Sequence, residues 1–321
     1  MNVLLINNLA FGGAERLVIE LARAIPKTSI VTLWRGNNEY DCSDVQRYVL
    51  FSRECFLALK LLISAKVVHF HLFPTMWTVL FFVLSRKILI YTEHNTHNRR
   101  RTKRWLRPLE SYFYSKFDHI VAISDGVKAC LLIWQPNLNV RVIENGVKKF
   151  SSNNTKKVDN QILMIGRFSP QKDQLSVIRA LQFLPLNYSL VLVGAGASTF
   201  SDALPETKKS RIKFYEASDD IASHYARSDV YVQSSHWEGF GLTVVEAMSI
   251  GLPVIGTDVA GLRDLLHPEC VFPVAHSEKL AEIIMRLNDT SFRHKVVTHS
   301  RNTYEKYKIE NMIDRYSNLY D

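Results

Sequence analysis

Short apolar runs rich in Val, Ile and Leu recur along the 321-residue chain, separated by segments of helical period, and this alternation restricts the fold more than any other feature. In the first half the runs are Val3–Ile6, Ser29–Leu33, Val67–Leu72, Ile88–Tyr91, Ile120–Ile123 and Val140–Ile143. Between the first two, Ala14, Leu17, Val18, Leu21, Ala22 and Ile25 mark one buried helix face, with Glu15, Arg16 and Glu20 left for water. Strands joined by helices build a parallel sheet covered on both faces. Residues 148–161 are polar, lack any apolar period and read as a linker, with the domain boundary after residue 150. Beyond it the alternation restarts, with strands at Ile162–Ile165, Ser189–Val193, Lys213–Tyr215, Val230–Gln233 and Pro253–Gly256 and helices at about 172–183, 219–227 and 242–250. The expected class is therefore α/β, two doubly wound parallel-sheet domains spanning 1–150 and 151–321. The segment 291–320 reads as helix, either capping the second domain or crossing back to the first.

Composition narrows the function classes. Cys42, Cys55, Cys130 and Cys270 lie far apart without a C-x-x-C pair, so neither a zinc ribbon nor a disulfide framework is indicated, and reduced thiols in a cytoplasmic protein are the simplest reading. The opening residues lack the basic flank and cleavage site of a secretory signal and read as a first strand. The most membrane-like stretch, Met76 to Leu84, is about half of the ~20 apolar residues a spanning helix needs. The formal charge of +9 is uneven: residues 1–150 carry 21 Lys and Arg against 11 Asp and Glu, whereas residues 151–321 carry 19 against 20. The first half is thus suited to an anionic partner, with lipid head groups, phosphorylated substrates and nucleic acid all open.

In open parallel sheets, ligands bind at the carboxyl ends of the strands. After Ile162–Ile165 comes Gly166-Arg167-Phe168-Ser169-Pro170-Gln171-Lys172-Asp173, leading into a helix. Arg167 and Lys172 could converge on a diphosphate there, or be two solvated cations flanking a turn. After Val230–Gln233 comes Ser234-Ser235-His236-Trp237-Glu238-Gly239-Phe240-Gly241-Leu242-Thr243-Val244-Val245-Glu246. One carboxylate in the loop and one on the helix can bind two parts of an extended hydroxylated ligand, although the spacing alone also fits an exposed loop acid and an ordinary helix acid. His69 and His71 share a strand face, but two ligands without a third read as packed or surface histidines.

Together these residues resemble a known family. Glu238-x7-Glu246 within E-G-F-G-L-T-V-V-E-A-M, followed by Gly251-Leu252-Pro253-Val254-Ile255 and Gly261-Leu262, resembles the retaining glycosyltransferases of family 4, which have the GT-B fold. Gly12-Gly13-Ala14-Glu15-Arg16, Ser124, Asn145-Gly146-Val147, Arg167-x4-Lys172 and Val193-Gly194-Ala195-Gly196 agree in order across nearly the whole chain. The resemblance implies two Rossmann-like domains facing across a cleft, an amino-terminal acceptor domain and a carboxy-terminal domain for a nucleotide-sugar. It implies that Arg167 and Lys172 neutralise the donor diphosphate, Glu238 binds hydroxyls of the transferred sugar and Glu246 binds ribose. By the same resemblance Phe240, Gly241 and Leu242 contribute mainly through backbone, Gly12 and Gly13 lie in the loop brought against the donor, and His94 positions or polarises the donor sugar. The leaving phosphate would accept the acceptor's proton, so no protein base is required. No cofactor or metal is expected: the chain has no Asp-x-Asp, and Arg167 and Lys172 can supply the charge. UDP is the donor nucleotide adopted, although Phe214-Tyr215-Glu216-Ala217-Ser218 departs from the family's glycine after this strand.

The segment Asn98–Arg107 holds Arg99, Arg100, Arg101, Lys103, Arg104 and Arg107 and runs into Tyr112-Phe113-Tyr114. Continued as a helix, with Trp105, Leu106, Leu109, Tyr112 and Phe113 on an apolar side, it suits an anionic membrane, or it is a solvated basic helix packed on the first domain. The expectation is a cytoplasmic glycosyltransferase, peripheral on the inner face of the plasma membrane, extending a glycan or lipid-linked acceptor in capsular, exopolysaccharide or lipopolysaccharide biosynthesis. The alternatives are a UDP-sugar epimerase of the same architecture and a basic nucleic-acid-binding protein, although nucleic acid is not the expected partner because the basic cluster is single. A nicotinamide dehydrogenase is disfavoured because Gly194-Ala195-Gly196-Ala197-Ser198-Thr199 lacks the third glycine of its fingerprint.

Overall fold

The structure, a computed structural model, describes every residue except 38, 151–155, 207, 208 and 219, and for Arg99 the backbone alone. Two compact units result, one formed by Met1–Asn145 with Glu310–Asp321 and the other by Gly146–Ile309. The division falls five residues before the expected boundary, and part of the linker segment, residues 151–155, lies outside the described residues.

The first unit is a seven-stranded parallel sheet. Its strands are β1 (Asn2–Ile6), β2 (Thr28–Thr32), β3 (Arg47–Val49), β4 (Val67–His71), β5 (Ile88–Glu93), β6 (His119–Ala122) and β7 (Val140–Val142), in the order β3-β2-β1-β4-β5-β6-β7. Every residue of β2 and β4 is buried, as expected for strands covered on both faces. The helix Gly13–Ala24 buries Leu17, Val18, Leu21 and Ala22, the stripe its period predicts. The three-residue β3, Arg47-Tyr48-Val49, is a strand the apolar pattern does not reveal, because it lies at the sheet edge and only Val49 is buried.

The second unit is a six-stranded parallel sheet. Its strands are β8 (Gln161–Ile165), β9 (Ser189–Val193), β10 (Ile212–Tyr215), β11 (Val230–Gln233), β12 (Val254–Thr257) and β13 (Val271–Phe272), in the order β10-β9-β8-β11-β12-β13. Ile162, Met164, Leu190, Leu192, Val232 and Ile255 join Val177, Leu280 and Ile284 from the flanking helices in one buried core. Chain order reverses between β8 and β11, which are adjacent in space but 69 residues apart in sequence at their starts. The expected carboxy-terminal helix is two, Thr290–Lys306 and Ile309–Tyr320, and residues 310–321 belong to the first unit.

At the carboxyl ends of β8 and β9 the backbones come very close: a Cβ built on Gly194 would lie 2.1 Å from the carbonyl oxygen of Gly166. Only a residue without a side chain fits. Gly194→Ala is therefore expected to cost about 1–3 kcal/mol, measured as a lower urea midpoint; a midpoint equal to that of the unsubstituted protein would refute the packing argument.

Candidate active site

The order reverses between β8 and β11, a point at which open parallel sheets bind ligands, and the loops 166–173 and 234–241 leave the carboxyl ends of these adjacent strands side by side. Hydrogen bonds staple the loops together: the His236 N–H donates to the Gln171 carbonyl at 2.8 Å, Gln171 Nε2 to the Trp237 carbonyl at 2.9 Å, and Ser234 Oγ to the carbonyl of Asp173 at 2.8 Å. Across them Lys172 Nζ donates to Glu238 Oε1 at 2.6 Å, with both side chains largely buried. Two residues 66 positions apart, singled out separately from the sequence, thus form one charged pair.

Arg167 is exposed at the same strand end, with its carbonyl held by Gln174 Nε2 at 3.0 Å. Its guanidinium makes no ion pair among the described residues. The Glu238 loop ends at Gly241, whose φ of 88° is left-handed and which caps the helix Leu242–Ser249 without a side chain. Val244 and Val245 already donate to the Gly241 carbonyl, at 3.0 and 3.2 Å, so it is the N–H groups of Leu242 and Thr243 that precede the intrahelical bonds and suit an anion. Gly261 seats the loop from behind, since a Cβ there would meet the Glu238 carbonyl oxygen at 2.8 Å. Glu246 is buried one turn into the helix, with Oε2 accepting from Tyr225 OH at 2.8 Å. Phe240 is buried edge-on against Tyr307 at 5.2 Å, so its ring packs in the core and its backbone stays in the loop.

Sequence reasoning missed the polar floor beneath this pair, namely Tyr231, Gln233, Ser235 and Thr243. The available signal was a glutamine ending an apolar strand. The departure at Glu216 also acquires a role, because its carboxylate accepts from the N–H groups of Gly196 at 3.1 Å and Ser198 at 2.8 Å and ties the β9 and β10 loops. Those bonds hold the carboxyl below its ordinary pKa, the Ser198 N–H being the largest cause.

In the first unit, Gly12 and Gly13 open the helix after β1, and the Gly12 carbonyl accepts from Tyr40 OH at 3.4 Å. His94 follows β5, is buried and faces His71, with Nε2 3.1 Å from His71 Nδ1. His69 and His71 are buried, not exposed: His69 lies between Tyr320 OH at 2.6 Å and Thr92 Oγ1 at 2.7 Å. His71 Nε2 has no hydrogen-bond partner among the described residues. Burial pushes the His94 pKa down to about 3 and those of His69 and His71 well below the ordinary range, so all three are neutral at neutral pH. His94 therefore offers a neutral ring, suited to hydrogen bonding rather than to acting as a cation.

The basic segment differs from the expected continuous helix. It forms short turns at Arg99–Thr102 and Arg104–Leu106 before the helix Arg107–Tyr114. Arg100 pairs with Glu110 at 2.7 Å and Arg101 with Glu93 at 2.9 Å, all four side chains being largely buried. Their charge is spent inside the fold, whereas Lys103, Arg104 and Arg107 are exposed. Phe113 is buried while Trp105, Leu109 and Tyr112 remain open to solvent.

Comparison with known proteins joins the two units under one identity. Residues 11–149 match the family model Glycosyltransferase Family 4, and residues 147–303 match Glycosyl transferases group 1. The chain belongs to the family 4 glycosyltransferases. An uncharacterised glycosyltransferase of Methanocaldococcus jannaschii is 26% identical over 63% of the chain and 59% of its own length. The O-antigen chain mannosyltransferase B of Escherichia coli is 28% identical over 49% of the chain and 45% of its own length. The chain thus aligns with about half the length of these curated relatives. Among solved structures, HepE of Anabaena in complex with UDP-glucose superposes with a TM-score of 0.79 at 18% identity, covering 99% of this chain and 98% of that one. WaaG, a glycosyltransferase involved in lipopolysaccharide biosynthesis, gives 0.71 at 16% identity, with 99% of both chains covered. The fold is therefore GT-B, as the resemblance implied.

The buried histidines carry a pH signature. Each is depressed below its unfolded value of about 6.5, so its contribution to stability is complete above that pH and is lost as pH falls, for His94 down to about 3. Between these limits His94→Gln is expected to reduce the proton uptake on unfolding by about one, read from the pH slope of the unfolding free energy. An unchanged slope would mean that His94 is charged in the folded protein.

Proposed function

We propose that this glycosyltransferase is a retaining hexosyltransferase that moves a sugar from a nucleotide-sugar, with UDP as the nucleotide, to a hydroxyl of a glycan or lipid-linked acceptor in surface polysaccharide biosynthesis. The observation that carries the reading is the Lys172–Glu238 pair at the switch between β8 and β11, beside exposed Arg167 and the uncapped helix at Gly241. In this reading a diphosphate draws Lys172 and Arg167, leaving Glu238 to accept hydrogen bonds from hydroxyls of the transferred sugar and Glu246 to hold ribose. The two cations stabilise the departing nucleotide, and no resident cofactor takes part. The leaving phosphate takes the acceptor's proton, and His94 meets the donor sugar as a neutral hydrogen-bonding partner. UDP is supported by the HepE complexes with UDP and UDP-glucose. GDP-mannose is the second donor to test, because a GDP-mannose-dependent α-mannosyltransferase of Mycolicibacterium smegmatis is 34% identical over 37% of the chain. The family match favours transfer over the epimerase and nucleic-acid readings.

The proposal places the chain in the cytoplasm, against the anionic inner face of the plasma membrane. Lys103, Arg104 and Arg107 stand beside exposed Trp105, Leu109 and Tyr112, a pairing of cations with aromatic and apolar side chains that favours an anionic interface. Other large apolar side chains of the same unit are exposed as well, Phe56 and Ile63 on the helix Cys55–Ser64 and Phe81 and Leu84 after β4. Lys87 joins the segment before β5 to the end of that helix by donating to the carbonyls of Ile63 and Ala65.

Two measurements check these readings. Lys172→Ala and Glu238→Gln should each lower kcat/KM for the nucleotide-sugar by about a hundredfold or more while the unfolding temperature without ligand changes little; full turnover in both variants would remove the site. Replacing Lys103, Arg104 and Arg107 together by alanine should reduce co-sedimentation with phosphatidylglycerol vesicles and spare hydrolysis of the donor. Equal sedimentation with and without these charges would remove the membrane assignment.

A further inference from the structure

Gln233 ends β11 with its side chain fully buried. A buried amide left unpaired costs about 1–3 kcal/mol, so its bonds account for its presence at an otherwise apolar strand end. An amide offers two acceptor lone pairs and two N–H groups. All four are used: Oε1 accepts from Tyr231 OH at 2.7 Å and Thr243 Oγ1 at 3.1 Å, while Nε2 donates to Ser235 Oγ at 2.8 Å and Glu238 Oε1 at 3.3 Å.

The direction of these bonds is forced. A carboxylate only accepts, so the NH2 end of Gln233 must face Glu238 and its oxygen must face the two hydroxyls, which donate to it; the single Tyr231 proton goes to this oxygen at 2.7 Å rather than to the Ile165 carbonyl at 3.3 Å. Burial raises the pKa of Tyr231 far above the ordinary phenol value, which keeps that proton in place. Ser235 Oγ, having accepted from Gln233, passes its own proton to Glu238 Oε1 at 2.6 Å. Lys172 adds its donor to the same oxygen. The network therefore runs one way, from Tyr231 and Thr243 through Gln233 and Ser235 to a single oxygen of Glu238. Because Thr243 lies in the first turn of the helix Leu242–Ser249, the same amide ties that helix to the Glu238 loop.

We infer that Gln233 is a positioning residue that orients Glu238 through this one-way network, so that the carboxylate meets the transferred sugar as a fixed acceptor. The inference rests on the reading of Glu238 as the sugar-binding residue. It distinguishes the sugar from the nucleotide: losing the network weakens the contribution of the sugar to binding and leaves the bare nucleotide held by the cations and the helix end.

The test compares, by titration calorimetry, UDP with UDP-glucose and GDP with GDP-mannose on the unsubstituted chain, Gln233→Leu, Tyr231→Phe and Glu238→Gln. In Gln233→Leu the affinity gained from the sugar should fall about tenfold with the Kd of the bare nucleotide unchanged. Tyr231→Phe, which removes one oxygen and keeps Gln233, should shift the same ratio in the same direction, and it serves as the readout if Gln233→Leu does not fold. A mere packing role would leave the ratio unmoved. An unchanged ratio in a folded Gln233→Leu or Tyr231→Phe, with the ratio lost in Glu238→Gln, overturns the inference alone. A ratio retained in Glu238→Gln, or no affinity gained from either sugar by the unsubstituted chain, overturns the reading of Glu238 and the inference with it.

Discussion

Parallel pairing of buried strands governs the second unit. Each strand runs the same way, so each helical crossover returns the chain to the amino edge and every strand exits at the carboxyl edge. The reversal of order between β8 and β11 then sets two exit loops beside each other without a crossover between them. Lys172 belongs to one loop and Glu238 to the other, and their contact follows from that adjacency. The close approach of Gly194 to Gly166 and the seat that Gly261 makes for the Glu238 carbonyl are what permit the loops to pack so tightly.

Buried polarity is accommodated in two ways, by neutralising the group or by surrounding its charge with partners. In the first, His69, His71 and His94 give up their charge, because burial penalises three neighbouring cations more than the surrounding hydroxyls could compensate. In the second, Glu238 is surrounded by donors from Lys172, Ser235 and Gln233, an arrangement that suits a charged acceptor. Arg100 and Arg101 show the same economy, because each is covered only together with a carboxylate. A buried charge is tolerated where a partner of opposite sign or several donors lie within hydrogen-bond reach, and elsewhere the group stays neutral.

Most of the sheet was legible because parallel strands covered on both faces announce themselves as apolar runs. The expected strands from Val3–Ile6 to Pro253–Gly256 match observed ones within a residue or two, whereas β3 and β13 were invisible at three and two residues. The basic segment was misread for a related reason: composition counts six cations but does not show that Glu93 and Glu110 fold back to neutralise two of them. The second half of the carboxy-terminal helical segment grouped with the first unit, a choice between two long-range packings that periodicity does not make.

The sequence by itself determined the α/β class, the alternation that builds two sheets, and the motifs around Arg167, Lys172, Glu238 and Glu246, because backbone period and loop chemistry are local properties. Only the tertiary structure decided that Lys172 reaches Glu238, that Gln233 and Ser235 lie beneath it, that His94 meets His71, and which arginines are spent inside the fold. These depend on contacts between residues tens of positions apart, and such contacts are set by which strands become neighbours and which side chains water can no longer reach.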